Sequence, residues 1–141
     1  MRVTQNSLFV TLVMIACLAS SALAQGGGGA RRLYDPSTET TIKGKVEKVS
    51  QVTGRIGWNG THLVLQTDGQ TYDVHVGPSD YLSKIGLKFS AGDQIEVTGS
   101  KVKLGGADTI IAREIKENGK DFTLRDAQGV PKWSGRGRRS Y

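Results

Sequence analysis

Cysteine occurs once in the 141 residues, at Cys17, and methionine twice, at Met1 and Met14. All three fall in an N-terminal segment that reads as an export signal. Arg2 gives a positive start, Leu8 to Ala19 an apolar run, and Ala22-Leu23-Ala24 a small-residue cleavage site before Gln25. Residues 1–24 are therefore expected to be removed on export to the periplasm or the medium. The mature chain then lacks thiols and thioethers, which excludes disulfides, thiol catalysis, cysteine-based zinc sites, attached c-type haem and methionine sites for soft metals. Met14-Ile15-Ala16-Cys17 also has a second reading as a lipobox, with Cys17 lipidated and the domain held at a membrane. Long apolar runs are missing: Leu8 to Ala19 is too short to span a bilayer comfortably, so no transmembrane segment is expected.

Enzyme signatures are missing as well. The chain has no Gly-x-Ser-x-Gly, no phosphate loop ending in Gly-Lys-Ser/Thr, no His-Glu-x-x-His and no Rossmann glycine fingerprint. Its length leaves room for one small domain and none for a cofactor domain beside a substrate domain. A non-enzymatic, monomeric binding module is the expectation.

Net charge is +6, yet Leu33 to Pro131 hold 12 Lys/Arg against 13 Asp/Glu. The folded part is thus near neutral, and the excess sits at the ends, in Arg31-Arg32 and in Lys132 to Arg139. In that tail Arg136, Arg138 and Arg139 follow Trp133. Such a tail suits the phosphates of nucleic acid, lipopolysaccharide or anionic lipid, so an electrostatic adaptor acting through it is the alternative function. The bland reading is a solvated tail with Trp133 packed on the domain.

The residues present spell strands. Gln25 to Ala30 (QGGGGA) reads as a flexible spacer, within a linker placed at residues 25–39. Thr40 to Val52 is rich in β-branched residues and changes phase beside Gly44, as in a long strand bent by a bulge. Thr61 to Thr67 and Thr71 to Val76 flank a hairpin turn at Asp68-Gly69-Gln70. Asp93 to Leu104 and Asp108 to Lys116 flank Gly105-Gly106, a second hairpin. Between the hairpins, Ser79-Asp80 is expected to cap a short helix ending near Ile85 and Gly86. A further short strand is expected about Phe122 to Leu124. Five strands in this order, the first bent and a helix between the third and fourth, make an all-β, five-stranded OB-fold barrel, placed at residues 40–131 with a basic tail at 132–141.

Two stretches carry a family resemblance. Gly92-Asp93-Gln94-Ile95-Glu96-Val97-Thr98-Gly99 is similar to the fourth-strand entry of small exported bacterial OB-fold proteins, and so is Val74-His75-Val76-Gly77-Pro78 leading into Tyr81-Leu82. The resemblance spans about Thr40 to Trp133 and implies the barrel, without any catalytic residue.

The two histidines are the sharpest functional signal. A two-residue turn at Asp68-Gly69 sets Leu65 opposite Tyr72, Leu63 opposite Val74 and Val64 opposite Asp73. Leu63, Leu65, Tyr72, Val74 and Val76 then share an inner apolar face, together with Ile95 and Val97. The same register sets His62 opposite His75 on the outer face, with Asp73 two residues away. Cross-strand neighbours lie about 4.5–5.5 Å apart at Cβ, so both imidazoles are expected to reach one divalent ion, with Asp73 as a third ligand. Nitrogen and oxygen donors favour Zn²⁺, Cu²⁺ or Ni²⁺. A small ligand or an envelope protein is the other expected occupant, and Trp58 is expected to border the face. Periplasmic copper-handling OB proteins share this fold and compartment but rely on methionines for Cu(I). The His-x-x-x-Tyr pattern of haem-chaperone OB domains is absent, His75 and Tyr81 being six residues apart.

Overall fold

The computed structural model describes residues 33–54 and 59–135. The sequence-predicted signal segment, most of the Gly-rich linker, Cys17, Trp58 and the tail arginines Arg136, Arg138 and Arg139 lie outside these residues.

Five strands close a barrel. They are β1 (Glu39–Thr53), β2 (Asn59–Thr67), β3 (Gln70–Pro78), β4 (Gln94–Leu104) and β5 (Ala107–Glu117). Antiparallel pairs join β1 to β2, β2 to β3, β1 to β4 and β4 to β5. A short parallel pairing of β3 with β5 completes the circuit, matching Asp73, Val74 and His75 to Thr109, Ile110 and Ile111. This is the OB-fold circuit, with helix α1 (Ser79–Lys84) between β3 and β4. A sixth strand, β6 (Lys120–Thr123), extends β5 through a hairpin.

Alternation of side chains builds the core. Val46, Leu63, Leu65, Val74, Val76, Val97, Ile110 and Ile115 are essentially without solvent exposure, and Ile95 is buried. Their strands read apolar-in, polar-out with period two, so closure removes one whole face of each from water. Helix α1 adds Leu82 to the same cluster. Its N-cap is Pro78, with no side-chain cap bond, rather than Ser79 or Asp80. Ser79 is engaged elsewhere, since its hydroxyl pairs with Thr61 Oγ1 and donates to the Asn59 carbonyl.

The bend of β1 differs in detail from expectation. The register shift lies between Val46 and Lys48, so Glu47 is the bulged residue. Gly44 has another role. β1 passes there from β4 to β2, and a Cβ at Gly44 would sit 2.4 Å from the Gln66 carbonyl oxygen. The backbones approach closely where the strand serves two neighbours, and a side chain would push them apart.

The packed body reaches beyond residues 40–131 at both ends. Tyr34 is buried, a 3-10 turn spans Pro36–Thr38, and a second spans Lys132–Ser134 with Trp133 half-buried. The last part of the assumed linker and the first part of the assumed tail therefore belong to the domain. Burial of Tyr34 and Trp133 outweighs the polar composition of these two stretches.

Candidate functional site

The outer face of the β2–β3 hairpin gathers the histidines. Register follows from the two-residue turn at Asp68-Gly69: Thr67 faces Gln70, Leu65 faces Tyr72, Leu63 faces Val74 and His62 faces His75. The two imidazole centroids are 3.9 Å apart with planes tilted by 36°. A register shift between Thr61 and His62 ends the regular hairpin beside the pair. On β1, Ser50 lies next to His62 in register, and on β5, Ile111 lies next to His75.

Both rings are half-buried, and that sets their charge. Burial holds His62 below the ordinary imidazole pKa, with the Asp73 carboxylate opposing. Burial likewise lowers His75, helped by the neighbouring His62 and by the positive charge of Arg125, again against Asp73. Neutral rings keep a nitrogen lone pair free for a metal ion or a hydrogen-bond donor.

Asp73 does not complete a ligand set. It lies two residue pairs away, opposite Val64, with its side chain exposed. Two residues along a strand cover about 6.6 Å, near enough for its charge to act on both rings. Among the described residues no three His, Cys, Asp or Glu side chains stand together as a metal-holding group. The structure thus brings together His62 and His75, and leaves Asp73 as an electrostatic neighbour.

A second layer covers the adjoining outer surface of β4 and β5, and little in the local sequence marks it. Chain 33–38 folds back so that Asp35 N–H donates to Ser100 Oγ and the Thr38 hydroxyl pairs with it. Tyr34 donates to Glu39, which also accepts two bonds of 2.8 Å from Nε and Nη2 of Arg113. Arg113 is the bulged residue of β5, unmatched between Gly99 and Thr98 on β4. Its carbonyl accepts from both Leu124 N–H and Arg125 N–H, fixing the start of a C-terminal strap. The strap turns through Asp126, whose carboxylate accepts from Gln128 and Val130 N–H, and returns to pair Pro131 with Arg125.

Trp133 closes this strap onto β3. Its ring lies against Gly77, where a Cβ would come within 2.8 Å of it, and 5.3 Å from the Tyr81 ring. The Arg125 guanidinium stacks 4.9 Å from the Trp133 ring centre. Between α1 and the strap lies a cleft of about 940 Å³, walled by Pro78, Tyr81, Pro131 and Trp133. Arg125 escaped sequence reasoning because nothing local marks it: an arginine before an Asp-containing turn reads as surface until Trp133 and Tyr34 are seen to cover it. Trp58 and the tail arginines, expected near the ligand, lie outside the described residues.

Among curated proteins none matches this chain. Among solved structures, similarity extends to the N-terminal domain of PriB protein from Thermoanaerobacter tencongensis, described as dimeric, at 16% identity and TM-score 0.46, covering 57% of this chain and 96% of that one. It extends also to two structures of the mitochondrial single-stranded DNA binding protein Rim1 from S. cerevisiae. One has 14% identity and TM-score 0.43 over 56% of this chain and 91% of that one. The other has 17% identity and TM-score 0.45 over 59% and 97%. The model of the MamS/MamX magnetosome protein family matches residues 38–122, from the 3-10 turn before β1 through β6 and more than half of the chain, and the protein belongs to that family.

Proposed function

We propose that this protein is an exported, non-enzymatic binding module whose ligand surface is the outer face of the β2–β3 hairpin, centred on His62 and His75. The observation that carries the reading is the meeting of two half-buried imidazoles 3.9 Å apart, both held neutral chiefly by burial. Two neutral nitrogens on adjacent strands suit a borderline divalent ion such as Zn²⁺, Cu²⁺ or Ni²⁺, with water or a partner's groups filling the other positions. The family name supports a magnetosome setting, and the signal-like N-terminus supports delivery across a membrane, to the periplasm or an equivalent compartment. No described helix is long and apolar enough to cross a membrane.

Titration calorimetry with ZnCl₂ and CuCl₂ at neutral pH tests the reading. The parent is expected to give saturable binding, and His62→Ala with His75→Ala to abolish it while the circular dichroism stays unchanged. Equal binding by the double variant ends the proposal. Removing residues 136–141 separates it from attachment to an anionic polymer through the tail: the hairpin site is expected to survive the deletion, and polymer binding is not.

A further inference from the structure

Arg125 is the most deeply buried charged residue among those described, at 7% exposure, and it has no ion-pair partner among them. Its Nη1 donates to the Gly129 carbonyl at 3.1 Å, its plane rests near Trp133, and its Nε is buried with no acceptor. Removing a guanidinium from water without an anion to meet it is costly, which makes an unmatched buried arginine unusual. Neighbouring carboxylates are already committed. Asp126 caps its own turn, and Glu39 accepts from Arg113 and Tyr34.

Arg113 shows what this kind of edge is built to hold. Its Nε and Nη2, the two donors on one side of the guanidinium plane, take the two oxygens of Glu39 at 2.8 Å each. That parallel fork is the geometry in which arginine binds a carboxylate best. Arg125 has the same side of its plane unfilled, since its single hydrogen bond comes from Nη1.

We infer that the Nε–Nη2 edge of Arg125 is a receptor for the carboxylate of a small organic acid. Nε is buried without an acceptor, and Trp133, whose ring centre lies 4.9 Å from the guanidinium, rests on ring contacts with Gly77 and Tyr81. An entering carboxylate gives Nε and Nη2 two charge-assisted hydrogen bonds in the guanidinium plane, and the neighbouring Trp133 reports its arrival. This site is independent of the histidine-pair reading, because it needs neither imidazole as a ligand.

Trp133 fluorescence, read in a Trp58→Phe version of the mature chain, tests the inference with acetate and citrate against inorganic phosphate at matched ionic strength. Acetate and citrate are expected to change the emission saturably and to raise the melting temperature, with phosphate weaker. Arg125→Lys keeps the charge and loses the fork, so it is expected to weaken both responses at least about tenfold. Zinc binding, measured on the same Arg125→Lys protein, is expected to be unchanged, so failure at one site is visible apart from failure at the other. No saturable response from the parent, phosphate preferred over the carboxylates, or an equal response from Arg125→Lys would overturn the inference. If Arg125→Lys does not fold, the parent's preference between carboxylate and phosphate decides it.

Discussion

Replacing Val74 by aspartate puts a carboxylate at a point with no solvent exposure, opposite Leu63 on β2 and beside Ile110 on β5. The truncation part of the cost is set by Val74→Ala, which removes two carbon groups worth about 0.8 kcal/mol each and leaves a cavity, about 2–3 kcal/mol in all. The aspartate adds the burial of an ionisable group with no partner, several kcal/mol more even when it is protonated. Since a domain of this size has only about 5–15 kcal/mol of stability, Val74→Asp is expected to be unfolded or nearly so at 25 °C. Val74→Ala should stay folded and melt about 10 °C or more lower, at roughly 4–8 °C per kcal/mol. Asp73→Val provides the control one residue away, because Asp73 is exposed on the opposite face. It should melt within a few degrees of the parent. Thermal unfolding followed by circular dichroism gives all three values. A cooperative Val74→Asp transition near the parental temperature would refute the inward register of β3, and with it the outward placement of His75.

Divalent-ion binding should weaken as pH falls, because protonated imidazole offers no lone pair. Burial lowers both histidine pKa values, so calorimetry across pH should place the midpoint below the ordinary imidazole value of about 6.5. Asp73→Asn should weaken that binding less than either His62→Ala or His75→Ala, since it leaves both nitrogens in place and Asp73 completes no three-residue metal-holding group; an equal loss in titrations would make it a direct ligand. Gly77→Ala should displace the Trp133 ring, cost about 1 kcal/mol and shift Trp133 emission to the red in a Trp58→Phe background. Mass spectrometry of the exported protein should give a chain starting at Gln25, and a lipid-bearing Cys17 at the N-terminus would identify the tethered form instead.

The parts legible in the sequence are those governed by short-range rules. A two-residue turn at Asp68-Gly69 together with alternation fixes which residues of β2 and β3 face each other, and the His62–His75 encounter follows from that register alone. Leu63, Leu65, Val74, Ile95 and Val97 were assignable to the core by the same alternation, and all are buried. Features that depend on distant chain were not legible. The bulge at Glu47 arises from β1 serving two partners, and its phase change beside Gly44 gave only an approximate location. Tyr34, Arg125 and Trp133 are buried by one another and by β3 and β5, so no window around any of them reveals it. That Asp73 forms no three-residue metal-holding group with the histidines was also out of reach, since register tells which face a residue occupies and not how far its oxygens reach.

The parallel seam between β3 and β5 has a consequence for how the barrel behaves as a machine. The β2–β3 and β4–β5 hairpins pair strands adjacent in sequence, whereas the seam joins Asp73, Val74 and His75 to Thr109, Ile110 and Ile111 across the helix and the whole of β4. So short a closure, made between strands so distant in sequence, is expected to form last in folding and to open first in the native state. His75 is one side of its final residue pair. An occupant held by His75 therefore acts as a latch on the ring, and occupancy should be readable without any probe of the ligand, as slowed amide hydrogen exchange along Thr109 to Ile111.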